Sequence, residues 1–169
     1  EVFGRMTVLE NVMVGRHIQS RAGIISTGLR LLGMRQEERQ IQESAMQHLA
    51  FVGLENRTTE LAGNLPLGEQ KLLEVARALA TDPKILLLDE PAGGLNTRET
   101  EGLAALIHRI LEQGITVVLV EHDMNLVMDI SEEIMVMNFG EKIAEGKPKQ
   151  IKNDPRVFEG YLGEEVDYS

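Results

Sequence analysis

The chain reads as an α/β protein with a parallel sheet at its core. Two aliphatic runs, Ile85-Leu86-Leu87-Leu88 and Thr116-Val117-Val118-Leu119-Val120, are flanked by polar residues, the pattern of strands buried on both faces. Stretches with helical spacing alternate with them, which predicts helices packed on the sheet's faces. Composition permits such a core, since 43% of the 169 residues are hydrophobic and no low-complexity run interrupts them.

Each element follows from its local pattern. Thr7 and Glu10 have capping-box spacing and open a helix predicted to run to about Ile18. After a glycine-containing connection, Ile41, Ala45, Leu49 and Val52 mark the inward face of a long helix from about Glu37 to Phe51, and Gly53 suits its end. Leu72, Leu73, Ala76, Leu79 and Ala80 share one face of a third helix, entered through Leu65-Pro66-Leu67-Gly68-Glu69-Gln70. The Ile85 strand comes next, followed by a helix with Leu103, Leu106, Ile107, Ile110 and Leu111 on one face, the Thr116 strand, and a helix from Asp123. Strands near Ile134 to Met137 and Lys142 to Ala144 are joined by a hairpin turn at Asn138-Phe139-Gly140. Met13, Met46, Met124, Met128, Met135 and Met137 read as core filler.

The chemistry gathers at the strand ends. Open α/β folds bind ligands at the carboxyl edge of the sheet, and the Ile85 strand delivers Asp89 and Glu90 there. Asp89 could hold Mg²⁺ through water, and Glu90 could orient an attacking water. By itself the string equally fits a core strand that ends in a solvated acidic turn, so the flanks must decide. Upstream, Gly68 leaves backbone bare at the first turn of a helix, where N–H groups and the dipole favour phosphate. Downstream, the Thr116 strand ends in Glu121-His122-Asp123 and brings an imidazole to the same edge. His108 sits on an otherwise solvated side of its helix, His17 lies near a helix end, and His48 has no acidic or histidine partner at metal-ligand spacing, so all three read as surface or packing residues.

In their order, LPLGEQ, ILLLDEP, Ala92-Gly93-Gly94-Leu95-Asn96 and VEHDM resemble the signature motif, Walker B, D-loop and H-switch of the nucleotide-binding subunits of ABC transporters. The resemblance spans the whole chain, and four ordered motifs are far more specific than any one. Within that family the likeness is to ATP-binding subunits of bacterial branched-chain amino-acid importers. Gly140 to Gly146, Asn153 to Val157 and Tyr161 to Glu165 match their characteristic ending. The resemblance implies a partial P-loop NTPase-like domain, with residues 1–62 as a helical subdomain facing the membrane subunits and 63–169 as a portion of the ATPase core. It further implies ATP and Mg²⁺ as cofactors, Asp89 serving Mg²⁺, Glu90 polarising water and His122 contacting the γ-phosphate. Two subunits of the family sandwich two nucleotides, so Gly68, Glu69 and Gln70 would act in trans; Asn96 joins them among the nucleotide-binding residues.

The pattern departs from the family's in three places. Pro66 replaces the usual signature serine and Leu67 the first glycine, which removes a hydroxyl and an amide donor; an LPYG variant in the subfamily already lacks that serine. Asn96 stands for the usual D-loop aspartate and can still cap the following helix. No G-x-x-x-x-G-K-[ST] occurs, so the phosphate-cradling loop is absent from the sequence and the chain is expected to be the C-terminal portion of a longer subunit.

Charge and composition narrow the partners. The net charge of −10 lies wholly after residue 80, where eighteen acids face eight bases, and so acidic a surface makes nucleic acid an unsuitable partner. Arg16, Arg21, Arg30 and Arg35 fit either a solvated surface or a partner protein. Zero cysteines exclude disulfides and thiolate metal sites. With no apolar run near the roughly 18 residues of a spanning helix, membrane contact must go through partners. The resemblance implies a second copy or a paralogue, transmembrane permease subunits and, indirectly, a periplasmic or extracellular solute-binding protein. It places the subunit in the cytoplasm, peripheral at the inner face of the membrane. Two alternatives stand beside this reading: a non-catalytic fragment or degenerate interaction module, and a soluble ABC ATPase of DNA repair or translation. The last would be expected to carry coiled-coil insertions or a basic face, and the sequence has neither.

Overall fold

A computed structural model describes residues 1–20 and 30–157, without the side chains of 17–36. The Tyr161 to Glu165 match and the side chains of His17, Arg21, Arg30 and Arg35 lie outside the described residues. The chain divides into two compact units, Glu1–Val120 and Glu121–Ser169.

In the first unit, α1 (Val8–Ser20), α2 (Arg30–Val52) and α3 (Leu67–Leu79) pack on one another. The Thr7 and Glu10 capping box forms as expected: Thr7 N donates to Glu10 Oε2 at 2.7 Å and Glu10 N to Thr7 Oγ1 at 3.2 Å. These bonds, backbone first, hold the Glu10 carboxyl below its ordinary range. Among the described residues the helix α2 already runs at Arg30, ahead of the expected Glu37, and it ends as predicted. Gly53 takes φ +82° and Leu54 N reaches back to Leu49 O at 2.8 Å, so the last carbonyls are satisfied. Ile41, Ala45, Leu49 and Val52 are buried, and Val8, Val12, Leu73, Ala76 and Leu79 complete the core between the three helices. Within it Asn11 is fully buried, and its side chain accepts from Phe3 N at 2.8 Å and donates to Phe3 O and Thr7 O. A buried amide satisfied this way ties the leading loop to α1.

The strand β1 (Ile85–Asp89) pairs in parallel with β2 (Thr116–Val120), in register from Ile85 opposite Thr116 to Asp89 opposite Val120. Between them runs α4 (Thr97–Glu112), which buries Leu103, Leu106, Ile107 and Ile110 as predicted, while Leu111 turns outward. Burial of β1 and β2 on both faces is not observed. Leu86 is buried and Leu88 and Val117 pack on the helical core, whereas Ile85 and Leu87 on the opposite face are 59% and 74% exposed, with Val118 and Val120 beside them. Successive strand residues face opposite ways, so one layer of helices covers only alternate side chains.

The second unit holds α5 (Met124–Ile130), the antiparallel strands β3 (Ile134–Asn138) and β4 (Glu141–Gly146), and α6 (Pro148–Ile151). Phe139 and Gly140 both take positive φ, +46° and +82°, which suits a two-residue hairpin turn whose twist matches its strands. Ile134, Val136, Ala144 and Ile151 form this unit's core. Met135 and Met137 are not core filler. They project to the other face of β3 and are more than half exposed, because the strand's two-residue period gives the buried side to Ile134 and Val136.

Candidate functional site

The loop before α3 is built to present a helix start. Leu65 is buried and anchors it, Pro66 occupies the N-cap with extended ψ, and no side chain caps the first turn. Gln70 folds back, its Nε2 donating to Leu65 O at 2.8 Å, while Gln70 N closes on Pro66 O at 3.0 Å. Glu69 is held by Arg57 Nη2 at 3.2 Å, and its Oε2 is buried without a hydrogen-bond partner among the described residues. Arg57 also grips Glu60 at 3.0 Å; that hydrogen bond first, then the charges of Glu60 and Glu69, raises the guanidinium above its ordinary pKa. Gly68 is less bare than its sequence suggests. It is half-buried, and the Glu99 carboxylate occupies the space beside it, Oε1 lying 2.7 Å from where a Cβ would stand.

The end of β1 has its own geometry. Asp89 is exposed at the last pairing position, opposite Val120. Glu90 leaves the strand at φ +45°, a region that costs a non-glycine residue of order 1–3 kcal/mol. Hydrogen bonds that hold it there include Glu90 N to Val120 O at 2.9 Å, and Gly93 N and Lys71 Nζ to Glu90 O at 3.1 and 3.3 Å. Backbone strain of this kind at a strand's carboxyl end makes Glu90 a candidate functional residue. The chain then turns through Gly94 at φ +80°, against which Leu67 packs, and reaches Asn96. Asn96 caps α4 as expected: its side chain accepts from Glu99 N at 3.0 Å, and Glu99 Oε2 accepts from Asn96 N at 2.9 Å.

Gly68, Glu69, Gln70, Asp89, Glu90 and Asn96 therefore belong to one unit, with Lys71 joining α3 to Glu90 and Glu99 joining α4 to Gly68. His122 belongs to the second unit. There the Glu121 carboxylate, almost wholly buried, accepts from His122 N at 3.0 Å and lies 3.8 Å from Nδ1, while the imidazole is 65% exposed. Asp123 caps α5 through Asn125 N and Leu126 N, fixing the backbone that carries His122. Among the remaining histidines, His108 is exposed, as expected, and His48 is half-buried. Burial, opposed by Asp82 and assisted by Arg16, lowers the His48 pKa. Arg16 itself pairs with Asp82.

Arg57, Lys71 and Glu99 were not singled out from the sequence. Glu99 was legible in principle, lying three residues after a cap asparagine before an apolar run. Arg57 and Lys71 act across long loops, and no local pattern signals them. As for cofactors, the described residues form no cluster of three or more metal-ligating side chains. The single exposed carboxylate of Asp89 suits a hard cation that keeps most of its waters.

Comparison with known proteins adds the family. Residues 1–93 match the ABC transporter family, and residues 141–167 match the branched-chain amino acid ATP-binding cassette transporter family. The chain is 43% identical over 164 residues to the high-affinity branched-chain amino acid transport ATP-binding protein BraF of Pseudomonas aeruginosa, covering 96% of this chain and 64% of that one. Identity and coverage are the same for LivG of Escherichia coli K12. A probable LivG of Archaeoglobus fulgidus is 37% identical, covering 94% and 61%. Among solved structures, the ADP conformation of an ATP-binding cassette of an ABC transporter aligns with TM-score 0.76 at 30% identity, over 95% of this chain and 64% of that one. A nucleotide-free cassette aligns with TM-score 0.74 at 30% identity, over 94% and 63%. The fold is that of part of an ABC ATP-binding cassette, and the chain spans 61% to 64% of the length of these relatives.

Proposed function

The chain belongs to the ABC transporter family, and we propose that it is the C-terminal portion of an ATP-hydrolysing subunit that energises uptake of branched-chain or related amino acids. The observation that carries this reading is the joining, within one unit, of the LPLGEQ helix start to the strained Glu90 at the end of β1. The branched-chain family match over 141–167 and the names of the relatives support the solute class. Greater length in those relatives and the open apolar face at Ile85, Leu87, Val118 and Val120 support a longer subunit whose remainder packs on the sheet.

In this reading residues 1–62 meet transmembrane permease subunits, and 63–169 handle nucleotide at the cytoplasmic face of the membrane. Gly68, Glu69, Gln70 and Asn96 face the nucleotide of a second copy or paralogue. Asp89 would hold Mg²⁺ through water, and the ion would there supply positive charge beside the phosphates. Glu90 orients the attacking water and draws its proton, and His122 contacts the γ-phosphate. Because the sequence contains no phosphate-cradling loop, the 169-residue chain alone is expected to release phosphate only at background rate.

The test is steady-state hydrolysis by the full-length subunit assembled with its permease. Glu90→Gln should retain ATP binding and lose turnover by about 100-fold or more, since a carboxamide cannot take the proton, and His122→Ala should also cripple it. Hydrolysis at the parental rate by either variant would refute the role assigned to that residue. Uptake of labelled leucine, isoleucine and valine by the parental assembly tests the solute class.

A further inference from the structure

We propose that Glu99 is a positioning residue that locks the Asn96 turn to the first turn of α3, so that Gly68 and Asn96 are presented as one rigid edge. Its two carboxylate oxygens face different elements. Oε2 accepts from Asn96 N at 2.9 Å and completes the cap of α4. Oε1 lies against Gly68, 2.7 Å from the place a Cβ would take, with Cδ and Cγ at 3.0 and 3.4 Å. A reciprocal contact runs the other way, since Leu67 Cδ2 lies 2.7 Å from where a Cβ on Gly94 would stand. Two elements far apart in sequence thus meet through glycines on both sides, each filled by a side chain of the other. The seam borders an open pocket of about 310 Å³ lined in part by Gly68, Leu72, Leu95, Glu99 and Leu103.

The charge of Glu99 adds to the fit. The α3 start has no side-chain cap, and Pro66 has no N–H to offer, so the carboxylate beside Gly68 is a negative charge next to an uncapped first turn. An ordinary capping residue would need only a hydrogen-bond acceptor for Asn96 N, and glutamine serves a capping box as well as glutamate. A residue that also positions Gly68 needs the second oxygen, because a glutamine there would turn its NH₂ toward a helix end that is already positive. That difference separates the two roles.

The proposal rests on the reading of LPLGEQ and Asn96 as nucleotide-facing, and its experiment has two arms. In the 169-residue chain, urea denaturation of Gly68→Ala, Glu99→Ala and the double variant should be non-additive, the cost of the new methyl falling once the Glu99 side chain is gone. Additive effects would mean that the contact is absent and would overturn the proposal. In the full-length subunit carrying Glu90→Gln, adding Glu99→Gln should raise the ATP concentration for half-maximal dimerisation about fivefold, the size of a lost charge–dipole contact. Binding of ATP to the isolated monomer should not change. Unchanged dimerisation overturns the positioning role alone. A parental Glu90→Gln subunit that does not dimerise with ATP fails the functional reading as well and takes the proposal with it.

Discussion

The helix α3 and the strand β1 are both apolar runs next to a site residue, yet one is enclosed and the other is open. In α3, Leu73, Val75, Ala76 and Leu79 are each 3% exposed or less, while in β1 the fully buried side chain is Leu86, and Leu87 is 74% exposed. A helix with one apolar stripe needs one neighbour, and α1 and α2 supply it. A strand with apolar residues on both faces needs two layers, and only one face here meets the helical core. An aliphatic run therefore reports how much covering a strand can accept, not how much the chain at hand provides.

The sharpest way to break this contrast is truncation on its two sides. Leu73→Ala should destabilise the chain by about 2–5 kcal/mol, the range for a buried leucine, while Leu87→Ala should stay within about 0.5 kcal/mol. Urea midpoints decide it, and equal costs would mean that both faces of β1 are packed. A second test targets the crossing of α1 and α3. A Cβ on Gly15 would lie 2.3 Å from Arg77 O, so Gly15→Ala should cost about 1–3 kcal/mol by overpacking, whereas Gly102→Ala in α4, which meets nothing within contact distance, should stabilise slightly. Asn11→Ala, which takes away the side-chain acceptor of Phe3 N, should cost about 1–3 kcal/mol by the same assay.

The smallest expected effect is a pH dependence. The folded His48 has a pKa below its unfolded value of 6.5, so the unfolded chain binds the proton more readily. Its contribution to stability is full above pH 6.5 and falls as the pH drops from there toward the folded pKa. His48→Gln should flatten the stability profile in that window and leave it unchanged above pH 7.5. An unaltered slope would show that His48 is not desolvated in the fold.

Elements whose ends are encoded locally were legible in the sequence. Thr7 with Glu10, Gly53, Asn96, Asp123 and the Phe139-Gly140 turn all sit where their hydrogen-bonding or positive-φ requirements place them. The two units, the burial of Asn11 and the exposure of Met135 and Met137 were not legible. Apolar residues on both sides of β3 leave no alternation to say which side is buried, and an asparagine's partners lie in backbone that a sequence does not locate. At the site, the strand-end acids and the helix start were recognisable as motifs. The clamps that hold them, Arg57 on Glu69, Lys71 on Glu90 and Glu99 on Gly68, depend on tertiary approach between segments separated by loops.

The central claim is that the LPLGEQ helix start faces the nucleotide of a partner subunit, and Gly68 tests it most directly. Gly68→Asp places a carboxylate where a phosphate would approach and also crowds Glu99, so closure of a nucleotide sandwich should fail while each subunit still binds ATP. The measurement is size-exclusion chromatography of the full-length subunit carrying Glu90→Gln, with and without Gly68→Asp, in the presence of ATP and Mg²⁺. The account predicts an ATP-dependent dimer for the single variant and a monomer for the double variant. Undiminished dimer formation by the double variant, with ATP binding intact in both, would show that LPLGEQ is an ordinary helix start and would contradict the account.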